Sequence, residues 1–460
     1  MKNKLKFMKI RIVAAITCIA VIVIALILVL RLEGENPVLK IDGLSSSLKA
    51  SQNFFISVSD KKSGIRRIQV VLNKNDKETV LYEKELPMTN FIMGGSVYDY
   101  EFDLQIKPKE IGISDGQGIL SIYVSDCSWR GWLHGNNTII KQEVIIDTVK
   151  PKINVVSQQH NISQGGSGLV VYSLSEPCPE NGVVVGNNFF PGYSASKIPG
   201  VKEDHFYMSF IALNYRQGKE TQMFIKAVDQ AGNASKTGFL HYIKPVTFKK
   251  DIINISDRFL DQKLPEFDDD LPENASAVEK FLIVNNKLRT NNTKKLKSIG
   301  NNTENTLFWQ GPFLRLPNSA RKASFADHRE YRYNGEKIDE QYHMGIDLAS
   351  TAHTPVPASN SGKVVFTGYI GIYGKTVVID HGFGLFSAYS HLNTIETEAD
   401  KIVSKGEIIG KTGLTGLAGG DHLHFAMILH NTFVNPVEWW DPVWIKNNIT
   451  NKIKEIKSKG

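Results

Sequence analysis

The hydropathy pattern begins with an unbroken apolar run. Ile12 to Leu30 are nineteen residues without a charge. Coiled as a helix they span about 28 Å, close to the hydrocarbon thickness of a bilayer. The preceding MKNKLKFMKIR carries five basic residues and no acidic one. Such a flank stays on the cytoplasmic side of a membrane. A cleaved signal peptide would have a shorter apolar core followed by small residues, and RLEGENP is a poor cleavage site. The pattern predicts an uncleaved single-pass anchor, residues 1–31, in the inner (cytoplasmic) membrane. Residues 32–460 then lie in the periplasm or the extracellular space.

Past residue 35 the period changes to two. Alternating runs such as NFFISVSD, IRRIQVVLN, KQEVIIDTV and QMFIKAVD are separated by Gly, Asn and Asp turns, which predicts short strands up to about residue 245. A weak repeat overlies them. SGIRRIQVVL at Ser63 returns as SGLVVYSL at Ser167, and YVSDCSW with Asp126 returns as KAVDQAGN with Asp229. The offsets are 104 and 103 positions. A repeat of that length built of short strands fits two immunoglobulin-like sandwiches, 35–150 and 151–245, joined at DTVKP. The region resembles the Ig-like modules of bacterial exported proteins, in which a D-x-A-G-N turn precedes the last strand. Residues 246–304 change character. An acidic LPEFDDDLPEN precedes SAVEKFLIVNNKLRTNN, where Ser276 and Glu279 have capping-box spacing and Val278, Phe281, Leu282 and Leu288 recur at helical spacing. They predict a helical connector. Glycine-rich strand-turn-strand patterns resume over 305–445, and 446–460 form a basic tail. The fold class is mainly β: an anchor helix, two Ig-like sandwiches, a short helical connector and a C-terminal antiparallel sheet.

Composition narrows the function. With 460 residues the chain has room for about three domains. A hydrophobic content of 42% and a charged content of 22% suit globular domains. The net charge of +7 is mild and gathers at the two ends, with no basic-aromatic stripe, so nucleic acid is not an expected partner. Of three cysteines, Cys18 lies in the apolar run, and Cys127 and Cys178 either form one disulfide or stay as separate buried thiols. The chain has no CxxC, which excludes zinc held by cysteine.

Seven of the twelve histidines fall between 343 and 430. HMGIDLAS supplies His343 and Asp347, YSHL supplies His391, and GDHLHF supplies His422 and His424. HLHFAMIL is apolar enough to be a strand, and side chains two apart on a strand share a face. Both imidazoles of that pair therefore look into one space. Catalytic zinc takes three His or carboxylate ligands and keeps a position open. His343, Asp347 and one of the HxH pair can supply them. Zinc-bound water ionises near neutral pH, and the remaining histidines can move protons and stabilise an oxyanion. The spacing does not say which of His422 and His424 is the ligand.

These residues, in order, resemble the lysostaphin/LytM-type zinc metallopeptidases that cut peptidoglycan cross-bridges. His343-Met-Gly-Ile-Asp347 matches H-x-G-x-D, and HTPVPASNSGKVV follows as expected. Tyr389-Ser-His391-Leu392 matches Y-x-H-L, GEIIGKTGLTGLAGGDHLHF matches the segment that ends in H-L-H-F, and a V-N-P follows at Val434. The resemblance covers about 130 residues, from about 307 to 440. It implies one zinc per chain on His343, Asp347 and His424, and a catalytic pair in His391 and His422. It also implies a groove in an antiparallel sheet, walled by loops such as GYIGIYGK and TGLAGG, that takes an extended peptide. His381, His328, His353 and His430 have no such match and are expected to be structural. Tyr389 could face the groove or pack.

The expected function is thus a membrane-anchored zinc endopeptidase acting on peptidoglycan peptide stems. Residues 12–30 would hold the bilayer, and the Ig-like region could meet an envelope protein. The alternatives are a non-catalytic LytM-like regulator of cell-wall amidases, which loss of a ligand would signal, and an envelope-binding protein. No ligand is lost. A D-Ala to diaminopimelate bridge and a glycine bridge both fit the chemistry. An uncleaved anchor without a lipobox leans toward the direct bridge.

Overall fold

The computed structural model describes residues 2–198, 201 and 205–459. The chain divides into two compact units: Met1–Lys150 with Gln230–Asn233, and Pro151–Asp229 with Ala234–Gly460.

In the first unit Lys2–Arg31 is one helix. Its apolar stretch is exposed except at the half-buried Ile27. Two sheets follow. One has three strands, with Gln52–Ser59 between Val38–Asp42 and Asp99–Ile106. The other has five, with Gly116–Asp126 at its centre between Asn137–Ile146 and Ile65–Lys74. Period two is visible in the burial: Phe54, Ile56 and Val58 turn inward and their neighbours outward. Inward residues of both sheets, including Ile68, Val70, Leu120, Ile122 and Val144, form one core.

The second unit has a single continuous core running from Ile153 to Ile456. Two four-stranded sheets, centred on Ser167–Leu174 with Phe206–Ala212 and on Glu180–Val185 with Met223–Val228, occupy its first part. The strand pairing does not keep the 104-residue repeat. Ile65–Lys74 is hydrogen-bonded to Gly116–Asp126 in the first unit, whereas Ser167–Leu174 and Met223–Val228 lie in different sheets. A short alternating run ending in an Asp turn specifies a strand, not its neighbour. Cys127 and Cys178 are both buried and free.

The connector is not wholly helical. Lys250–Ile255 is a strand that pairs in parallel with His328–Tyr333. Helices follow, and the capping box forms: the Ser276 hydroxyl accepts from the Glu279 amide at 3.3 Å while the Glu279 carboxylate accepts from the Ser276 amide at 2.8 Å. The residues after 440 are more than a basic tail. Ile445, Ile449 and Ile456 are buried, and Lys452 donates to the Leu169 carbonyl at 2.8 Å. Burial lowers the Lys452 amine to about 8. Glu438 accepts from the Ser167 amide at 2.8 Å and from its hydroxyl at 3.1 Å.

Burial raises the Glu438 carboxyl to about 7 from an ordinary 4.5. Between those values the folded chain holds a proton that the unfolded chain has lost, so stability falls as pH rises through this window. Glu438→Gln keeps an acceptor for Ser167 and removes the charge. It should flatten that pH dependence and stabilise the protein at pH 8 by about 3 kcal/mol or less. Thermal unfolding at pH 5 and pH 8 measures it; equal slopes for the two proteins would refute it.

Candidate active site

A ten-stranded sheet builds the site. Its Leu423–Leu429 strand lies between Ile346–Ala349 and Leu385–Ile395, antiparallel to both. The register sets Asp347 directly opposite His424. Cross-strand partners have adjacent side chains, so this pairing alone brings the carboxylate to the imidazole. His343 precedes the Ile346–Ala349 strand, fixed by bonds between its backbone and Ala326 and Asp327.

Three atoms converge. His343 Nε2 and His424 Nδ1 are 2.9 Å apart, and each is 2.9 Å from Asp347 Oδ1. His343 Nδ1 is 2.9 Å from the Ser324 carbonyl, which places its proton there and leaves Nε2 a lone pair. His424 Nε2 is buried with no hydrogen-bond partner among the described residues. Asp347 is the acid of the trio. Burial alone would raise its carboxyl, but the imidazoles of His343, His422 and His424 hold it well below the usual range. Burial lowers His343, and lowers His424 to about 4. Two neutral imidazole nitrogens and a carboxylate oxygen pointed at one another are a cation's donor set, and one that suits zinc. Gly345 makes room for it: a Cβ there would meet the His424 ring at 2.6 Å.

His391 and His422 form a second pair, with ring centroids 4.9 Å apart. Each has Nδ1 at a carbonyl, Thr415 at 2.8 Å and Gly420 at 2.7 Å, so each keeps Nε2 free of that bond. His422 Nε2 is 3.5 Å from Asp347 Oδ1. Burial lowers His391 well below an ordinary histidine, with His422 and His424 adding to it. On His422 the pull of Asp347 outweighs burial and the ring is raised. His391 has φ +63°, inside a strand. Its pairing with Lys375–Asp380 shifts register between Lys375 and Val377, a bulge that turns the ring out of the pleat.

All five side chains line one cavity of about 430 Å³. Ile372 and Tyr373 of the GYIGIYGK loop and Leu417 and Gly419 of the TGLAGG loop stand around it. The connector also reaches it, with Ile253, Ile255, Phe259, Phe281 and Arg289. Connector residues bond to both loops. Glu266 accepts from the Gly416 amide at 2.7 Å and the Tyr369 hydroxyl at 2.9 Å, and Asn292 accepts from the Ile372 amide at 2.9 Å. His381 lies elsewhere, fully buried between the Ser361 carbonyl and the Ser387 hydroxyl. Tyr389 is buried and bonds to Ser387 and to the Ser359 amide, so it packs.

Arg329, like the connector residues at the cavity, is a site residue that the sequence reading did not single out. Its Nη2 donates to Asp347 Oδ2 at 2.7 Å, leaving Oδ1 to the trio. The signal was an arginine two residues before Tyr331 on a strand, since both line the cavity. Arg329→Met strands a buried carboxylate oxygen and should weaken metal binding by about 10–100-fold. Competition with a chromophoric chelator measures it, and unchanged affinity would show that the pair does not position Asp347.

The fold and site together define a β-sheet domain with a candidate mononuclear metal centre. Residues 341–436 match the model of Peptidase family M23, so the chain carries an M23 peptidase domain. The DD-carboxypeptidase/endopeptidase Mpg of Neisseria meningitidis is 42% identical over 95 residues, 21% of this chain and 22% of that protein. The peptidoglycan DD-endopeptidase ShyA of Vibrio cholerae is 38% identical over 96 residues, 21% of this chain and 22% of that protein. The chain thus matches about a fifth of the length of these curated relatives. The catalytic domain of the antimicrobial peptidase lysostaphin from Staphylococcus simulans is 26% identical over 28% of this chain and 98% of that domain, with a TM-score of 0.25.

Proposed function

We propose that the protein is a zinc-dependent endopeptidase that hydrolyses peptide cross-bridges of peptidoglycan. The observation that carries the reading is the convergence of His343 Nε2, His424 Nδ1 and Asp347 Oδ1 beside two further imidazoles. His343, Asp347 and His424 would hold the metal. Bound zinc supplies Lewis acidity and brings a water's pKa toward neutrality. His391 and His422 do the proton work. As the water oxygen bonds to the carbonyl carbon, a neutral imidazole takes the water's proton at Nε2. The imidazolium then donates a hydrogen bond to the developing oxyanion. It returns the proton to the amine nitrogen as the C–N bond breaks. The Thr415 and Gly420 carbonyls hold both rings in the tautomer this requires. The name of the Vibrio relative, a peptidoglycan DD-endopeptidase, supports a wall substrate, and that of the Neisseria relative supports endopeptidase chemistry.

We read Lys2–Arg31 as a membrane anchor in this proposal. Within Lys4–Arg31 an 18-residue window reaches a mean hydropathy of 3.4, with none of that window buried. A signal sequence has the same composition, and alkaline extraction of the mature protein separates the two. On this reading residues 35–245 link the anchor to the enzyme and offer a surface to an envelope partner.

The test is muropeptide analysis of purified peptidoglycan after incubation with the full chain in detergent, with zinc, with chelator, and with zinc restored. New free cross-bridge ends that vanish on chelation and return with zinc are expected, and their identity names the bond. A zinc-loaded chain that yields no new ends would overturn the proposal in favour of a regulator without catalysis.

A further inference from the structure

The anchor helix enters the first unit without a linker. The Arg31 carbonyl accepts from the Trp129 amide at 2.7 Å and the Ser128 hydroxyl at 3.1 Å. Its guanidinium donates to the Cys127 carbonyl and lies 5.8 Å from the Trp129 ring. Arg130 Nε donates to the Leu32 carbonyl at 3.1 Å, and Ser128 also reaches the Glu33 carbonyl at 3.0 Å. The last turn of the helix is thereby fixed to the loop at 129–135.

A second loop joins the first. Phe91 stacks on Trp129 with centroids 4.9 Å apart, and Trp129 Nε1 donates to the Phe91 carbonyl at 3.2 Å. Residues 91–93 form a turn closed by Asn90, whose side chain accepts from the amides of Ile92 and Met93 at 3.0 and 2.6 Å. The tips of both loops are apolar and exposed: Phe91 57%, Ile92 54%, Met93 65%, Trp132 95% and Leu133 48%. Gly131, Trp132 and Leu133 run through left-handed backbone with φ of 57°, 57° and 71°. That conformation costs free energy for any side-chain-bearing residue, and here it holds an indole away from the protein. Neither 88–95 nor 129–135 contains an acidic residue, while Arg130 and His134 are present.

Apolar tips with an outward tryptophan, basic neighbours and no acid are the chemistry of the boundary between lipid headgroups and acyl chains. We propose that loops 88–95 and 129–135 are a second membrane contact, seated in the outer leaflet of the bilayer that the helix crosses. The inference rests on the anchor reading. Helix and loops together then hold the first unit to the membrane at three places.

The test reconstitutes the full chain in phosphatidylethanolamine/phosphatidylglycerol vesicles with and without lipids brominated near the headgroup end of the acyl chain. Of the six tryptophans, Trp132 is the one held at 95% exposure on a loop tip. Brominated lipid should quench part of the emission of the wild type, and Trp132→Phe should lose most of that quenching with unchanged thermal unfolding. The paired change Ile92→Gln and Met93→Gln should reduce the quenching of Trp132. Equal quenching in wild type and Trp132→Phe, in protein that resists alkaline extraction, would overturn the second contact and leave the anchor standing. Release of the chain at alkaline pH would overturn both.

Discussion

Replacing His424 by alanine should remove the metal and the activity together. The trio would keep only His343 Nε2 and Asp347 Oδ1, and two protein donors are fewer than the three that hold a catalytic zinc. Loss of an outer partner costs about 10–100-fold in metal affinity, and loss of a direct donor should exceed that. Zinc content should fall from one per chain toward none, and cross-bridge cleavage with it. His424 packs against Tyr373 with centroids 5.6 Å apart, so the measurement belongs beside a thermal unfolding curve in chelator that checks the fold. A folded His424→Ala protein with full zinc and normal cleavage would refute the ligand assignment.

Its neighbour should behave differently. His422→Ala should retain zinc yet lose about 10²–10⁴-fold in kcat, the usual worth of a positioned acid–base group. His391→Ala should do the same. The double variant should cost little more than either alone, because the two rings serve one proton path. Zinc stoichiometry and kcat, measured on the same preparations, separate the roles. If His422→Ala sheds zinc while His424→Ala keeps it, the two members of the HxH pair have been exchanged in this reading.

How much was legible in the chain differs from residue to residue. His343, Asp347, His391, His422 and His424 each sit in a short motif, and short motifs survive being read in one dimension. The strand expected at HLHFAMIL forms as Leu423–Leu429. The facing of Asp347 and His424 is a matter of register between strands 77 residues apart, which no local pattern encodes. The positive φ of His391 is hidden for the same reason: a bulge is defined against its partner strand. Arg329 escaped notice because its partner, Asp347, is 18 residues away on another sheet. The apparent repeat failed for the converse reason. Alternation and a turn fix where a strand is, and many sheets can be assembled from the same strands.

The connector bears on kinetics. Glu266 and Asn292 tie it to the loops at 415–420 and 369–374, beside a cavity of about 430 Å³ whose His343, His391 and His424 are less than a tenth exposed. For a peptide that can enter only once these bonds part, the binding-competent form is the fraction of molecules in which they have parted. Its apparent dissociation constant is the intrinsic one divided by that fraction. Each ~1.4 kcal/mol holding the connector down therefore lowers turnover at low substrate tenfold, without any change in the histidines. The rate at which such a protein cuts would be set by how often the connector lifts, and anything that binds the lifted form would act as its throttle.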